Sequence, residues 1–213
     1  VDRLTTHSVK SVEAAGDGND RGRFRALVSV FGNVDAYGDV VEKGAFTRTL
    51  SEDGLPPIVW SHQWSTPPVG ATLAAEETDD GLVIDGQLFV GDVQLADSIY
   101  AAMSRVGGDG LPPLRQFSFG YDVRGYSVEE SDHPNAWAGE IRRLTDLKLH
   151  EVGPCLVGVN PDTELLDVKG VDPRVRPGVR DARPPWSTGA KSAADRMDRA
   201  AREHYVAVLL GRR

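Results

Sequence analysis

A single cysteine among 213 residues leaves no partner for an internal disulfide and too few thiolates for a multi-cysteine zinc site. Long apolar runs are missing too. None approaches the roughly 20 residues that a membrane-spanning helix needs. The opening VDRLTTHSVK lacks the apolar core of a signal peptide. Positive charge is in short supply: 24 Lys and Arg stand against 32 Asp and Glu, a formal charge of −8. That balance argues against a general nucleic-acid binder. What the chain does have, 40% hydrophobic and 26% charged residues, is enough to bury a core. The length fits one ordinary domain with appendages, and the composition predicts a soluble, intracellular one.

The charge is unevenly spread. Residues 171–213 hold ten basic and five acidic side chains, which makes that stretch +5 and leaves −13 for residues 1–170. The shift coincides with VDPRVRPGVRDARPPWSTG, whose four prolines between 173 and 185 forbid regular pairing. This reads as a domain over 1–170, a Pro/Arg-rich linker over 171–190 and a basic helical tail over 191–213. In the tail, Ala194, Met197, Ala201, Tyr205 and Val208 form one helical stripe. So short a helix needs a surface to dock on, its own acidic body or a partner.

The first 170 residues are written mostly in strand language. FRALVSVFGNV, PPIVWSHQ, GLVIDGQLFV, LRQFSFGYDV and LKLHEVGPCLVGV are rich in Val, Phe, Leu and Tyr, with turn residues between them. One helix is predicted over 92–106, with Leu95, Ile99, Ala102 and Val106 at helical spacing and Gly107–Gly108 as its stop; a shorter one covers AFTRTLSE. The expected class is β-rich α+β, a barrel with a few helices around it. An internal echo links Asp53-Gly-Leu-Pro-Pro to Asp109-Gly-Leu-Pro-Pro, with His62 and Ser118 each nine positions after the Asp. If both turns launch strands of one sheet, the two side chains occupy equivalent pleat positions.

A serine hydrolase needs a hydroxyl, an imidazole to take its proton, a group to orient that imidazole, and oxyanion donors. His62 lies in Trp60-Ser-His-Gln-Trp64, and Ser118 lies between Phe117 and Phe119, just before Gly120. Residue types alone favour two ordinary strand side chains over catalysis, because no Gly-x-Ser-x-Gly pattern is present. Rival chemistries have less. Cys155 sits in an apolar segment without positive neighbours and reads as an inert thiol. His7, His133, His150 and His204 form no recognised metal-ligand pair. Gly189-Ala-Lys-Ser lacks the strand of a phosphate loop, and Asp35-Ala-Tyr-Gly-Asp39 lacks calcium-loop spacing and reads as a tight turn.

Four blocks, taken in order, resemble the prohead maturation proteases of tailed phages. Phe31-Gly-Asn-Val-Asp-Ala-Tyr-Gly-Asp-Val-Val-Glu-Lys-Gly-Ala-Phe46 is similar to the family's opening motif, Val59-Trp-Ser-His62 to its histidine strand, and Gln116-Phe-Ser-Phe-Gly-Tyr121 to its serine strand. Leu149-His-Glu-Val152 with Val159-Asn-Pro-Asp162 resembles the closing motif. Gly153 stands where the family usually has serine, and Gly-Val-Asn-Pro replaces Ala-Asn-Pro. The blocks span about residues 24–167.

The resemblance implies an assemblin-like β-barrel, related to the herpesvirus enzymes, and a serine endopeptidase. It makes Ser118 the nucleophile and His62 the general base. Glu151 is the candidate to orient His62, with His150 as the alternative because assemblins use a second histidine. No metal or organic cofactor is implied. The implied substrates are the scaffolding region of the major capsid protein, or a separate scaffold, and the protease itself. The implied setting is the host bacterial cytoplasm during assembly, then the prohead interior, and the fold allows a homodimer. The basic tail would target the enzyme to the assembling shell or scaffold and be cut off during maturation. A non-catalytic capsid-assembly module of the same fold is the other reading. A third has the +5 tail binding packaged nucleic acid.

Overall fold

Phe24, Ala26 and Val28 alternate with more exposed residues along the first strand, and that period of two sets the strand's buried face. The computed structural model describes residues 20–169. The tail, the linker, His7 and His204 therefore lie outside the described residues. The elements in chain order are β1 (Arg23–Val30), β2 (Asp39–Val41), α1 (Thr47–Glu52), β3 (Pro57–Ile58), β4 (Gly70–Glu77) and β5 (Gly81–Leu88). Then follow α2 (Gln94–Ser104), β6 (Gln116–Glu130), β7 (Glu140–Cys155) and β8 (Glu164–Val168). No helix among the described residues is long and apolar enough to cross a membrane.

The strands form one sheet in the order β2-β7-β3-β4-β5-β1-β8, with β6 paired to the remaining edge of β7. β4, β5, β1 and β8 are antiparallel neighbours, whereas β2 and β3 run parallel to β7. The sheet curls like a barrel but does not close. The turn before β8 meets the start of β6 through Thr163, whose Oγ1 accepts from Phe117 N–H and donates to the Phe117 carbonyl. The Leu165 N–H also donates to the Arg115 carbonyl. Beyond this stitch, β6 pairs only with β7, and a seam stays open between β1 and β6.

The core fills the curled sheet. Phe24 stacks on Phe117, Phe46 meets Phe119 edge-on, and Ile84, Leu144 and Leu147 pack among them. α2 caps the core with Ala96, Ile99, Tyr100 and Met103. This face is rotated from the stripe expected from sequence: Val106 lies beyond the helix and is exposed, because the helix ends at Ser104 before its glycines. The expected strand PPIVWSHQ shortens to two residues, and the polar β4 (GATLAAEE) had no expectation at all.

Candidate active site

The β6–β7 ladder brings two residues of the site together. Ser118 pairs with Gly153, and Gly120 pairs with Glu151, so a glycine lies across from each functional side chain. These glycines clear space. A Cβ on Gly120 would lie 2.6 Å from Glu151 Oε1 and 2.9 Å from Trp64 Cζ2. One on Gly153 would lie 1.7 Å from the Val59 carbonyl oxygen, which accounts for glycine where the resembled motif has serine. With that approach open, residues 59–61 run beside β7, donating from Val59 N–H to the Val152 carbonyl and from Ser61 N–H to the Pro154 carbonyl.

The chain then turns. Ser61 (φ 45°) and His62 (φ 59°) adopt left-handed conformations, which residues other than glycine seldom visit, histidine less rarely than serine. The turn is held by Trp64 N–H donating to the His62 carbonyl. His62 is thus not on a strand, and the expected pleat equivalence with Ser118 is wrong. The two residues meet because a turn throws the imidazole onto the face of β6 and β7 that carries Ser118 and Glu151.

Their contact is direct. His62 Nε2 lies 3.0 Å from Ser118 Oγ, and His62 Nδ1 lies 2.5 Å from Glu151 Oε1. An ionised carboxylate only accepts, so Nδ1–H donates to Glu151 and leaves Nε2 to accept from the serine hydroxyl. Ser118 is 8% exposed and Glu151 4%, while His62 is partly open to solvent. Glu151 Oε2 is buried with no hydrogen-bond partner among the described residues. His150, the unpaired residue of a β-bulge between Leu149 and Glu151, bonds Asp122 at 2.8 Å and meets the Trp64 ring edge-on. It makes no hydrogen bond to His62. Burial pushes the Cys155 thiol up to about 12, the inert state expected from sequence.

Ser118 and His62 open into a cavity of about 600 Å³ along the free edge of β6. Its other wall comes from β1 and from the loop leading into β2, and it holds residues that the sequence reading treated only as a turn. Asp35 Oδ1 accepts from the Tyr37 and Asp39 amides, which is the expected tight turn. Asp39, 2% exposed, accepts from Arg142 Nε at 2.8 Å and Nη2 at 2.6 Å, and from the Tyr121 hydroxyl at 3.2 Å. Burial, with the Asp39 charge next, raises Asp35 to about 7. Burial likewise holds the Tyr121 phenol protonated. Asn160 of the closing block exchanges amide hydrogen bonds with Asn33 of the opening block, so those two segments form one wall. The signal for this cluster was two acids four apart beside an apolar Val-Val pair, and nothing local pointed to Arg142 as their partner.

Known proteins resemble the chain at three levels. The sequence model of a family described as caudovirus prohead serine protease matches residues 6–172. The prohead protease of Enterobacteria phage HK97 is 28% identical over 162 residues, covering 76% of this chain and 66% of that protein, just under two thirds of its length. A crystal structure of KSHV protease in complex with a hexapeptide phosphonate inhibitor aligns over 90% of this chain and 77% of its own. Its TM-score is 0.40 and its identity 15%, a distant likeness.

Proposed function

Because the chain belongs to the caudovirus prohead serine protease family, we propose that it is a serine endopeptidase of capsid maturation, with Ser118 as nucleophile, His62 as general base and Glu151 as the residue that positions His62. The observation that carries this reading is the unbroken chain from Ser118 Oγ to His62 at 3.0 Å and from His62 to Glu151 at 2.5 Å. It opens on a cavity large enough for a peptide side chain.

The chemistry follows from those contacts. Ser118 Oγ attacks the scissile carbonyl as His62 Nε2 takes its proton, giving a tetrahedral oxyanion and then an acyl-enzyme. Glu151, buried against Nδ1, stabilises the imidazolium and keeps the Nδ1 proton in place, so Nε2 is the reacting nitrogen. His62 then protonates the leaving amine and deprotonates the water that cleaves the ester. The free edge of β6 suits an extended substrate, which can add as a strand beside Ser118. The substrates are the scaffolding region of the major capsid protein or a separate scaffold, together with the protease itself. The reaction belongs to the prohead interior after assembly in the host cytoplasm.

Co-expression with the capsid protein of the same phage tests this, comparing the native chain with Ser118→Ala by intact mass. Defined truncations that vanish in Ser118→Ala are expected. Full-length products from both chains, with shells still assembling, would overturn the reading in favour of a non-catalytic assembly module.

A further inference from the structure

We propose that Asp35 makes the cavity beside Ser118 a subsite for a cationic side chain of the substrate, a lysine or arginine close to the scissile bond. The inference rests on the protease reading above and names what that site selects. The cavity is one space, lined by Ser118 and His62 and also by Asp35, Asp39 and Arg142. Its charged walls do not balance, with two carboxylates against one guanidinium. Asp39 is fully engaged, since Arg142 reaches both of its oxygens and Tyr121 donates to one of them.

Asp35 is different. Its Oδ1 accepts two backbone amides, and no cationic side chain among the described residues bonds either of its oxygens. It is nonetheless only 9% exposed. An asparagine would accept the same two amides through its carbonyl oxygen without bringing a charge. The turn therefore does not account for a carboxylate, and burying one is costly when the cation that shares its end of the cavity, Arg142, is bonded to Asp39 instead. The rest of the lining supplies the missing half of the argument. Val28, Val41 and Phe119 also face the cavity. They suit the aliphatic stem of a lysine or arginine whose charged head would meet Asp35 away from solvent. The groups that share this end with Asp35 are Asp39 from β2, Tyr121 from β6 and Arg142 from β7. Arg142 is held charged by its bond to Asp39, and burial keeps Tyr121 neutral, so Asp35 is the carboxylate left to answer a new cation.

The test uses the full chain carrying Ser118→Ala, titrated by NMR at pH 8 with N-acetyl-lysine methylamide and, separately, with N-acetyl-norleucine methylamide. The lysine probe is expected to bind at least tenfold more tightly and to shift the amides of residues 35–39. Adding Asp35→Asn, which keeps an acceptor for both amides, should bring the two probes to parity. Without that second substitution, the lysine preference should shrink below pH 6 as Asp35 takes up a proton. The norleucine probe controls for effects of pH on the cavity that do not depend on the probe's charge. Equal binding of the two probes, or a lysine preference that survives both Asp35→Asn and acid, would overturn the proposal. Because binding is read without turnover, failure to cleave capsid protein would count against the protease reading alone.

Discussion

Over residues 116–121, β6 faces 149–155 of β7 with Phe117, Ser118, Glu151 and Val152 all buried. Over residues 124–130 the same two strands continue the ladder in the open, and Tyr126 and Val128 are more than half exposed. Each half carries a contact between a nitrogen side chain and a carboxylate. In the outer half, Arg143 bonds Glu129 through two nitrogens and Glu42 through a third, with all three side chains a third or more exposed. In the inner half, His62 meets a carboxylate that water hardly reaches. The contacts are alike in length but not in consequence. Water screens the outer pair, whereas the inner carboxylate has the imidazole as its partner and can fix its tautomer. The candidate site thus lies in the half of the strand pair where Ser118 and Glu151 are shielded from water.

Four substitutions test that contrast. Glu151→Gln should have the largest effect, a fall in capsid-protein processing of roughly 10³–10⁴-fold with the melting temperature nearly unchanged, because the tautomer is no longer enforced. A rate within tenfold of the native chain would put the inner pair on a par with the outer one. Asp35→Asn should be next, and it should stabilise. The Asp35 pKa is raised to about 7 in the fold, so the native state binds more protons than the unfolded chain. Stability therefore falls as pH climbs from about 4 to 7. Removing the carboxyl should flatten that slope and add up to about 4 kcal/mol at pH 8, read from urea melts across pH. Gly153→Ala forces a Cβ against the Val59 carbonyl, backbone on backbone. It should cost about 3 kcal/mol in the same assay. Arg143→Ala, in the outer half, should cost less than about 1 kcal/mol and leave processing intact. A larger loss would mean that the exposed half of the hairpin is held more tightly than its solvation suggests.

The blocks around Ser118, His62 and Glu151 were legible because each is a short run whose residue types and order are distinctive. The third member was narrowed to neighbours, Glu151 and His150; the former bonds His62, and the latter, in a β-bulge, bonds Asp122. The route by which His62 arrives was not legible. The Gly-Leu-Pro-Pro echo suggested matching strands, but Ser61 and His62 turn left-handed without a glycine or asparagine to announce it. β4 escaped notice because GATLAAEE has few β-branched or aromatic residues, and its pairing with β5 overrides that weak local preference. The polar end of the cavity was seen only as a turn. Its partners Tyr121 and Arg142 lie 82 and 103 positions from Asp39, a separation that no local pattern spans.

The two left-handed residues at 61 and 62 also bear on how such a protein can be improved. Each departs from the comfortable backbone basins at a cost of about 1 kcal/mol or more, and glycine at 61 would relieve part of it. A selection for heat resistance alone would therefore favour that replacement. It would also widen the range of poses open to the neighbouring imidazole, so under the proposed mechanism the hardier variant would be the slower one. The backbone tension that makes this corner a poor piece of fold is what makes it a good mount for a ring that must point one way.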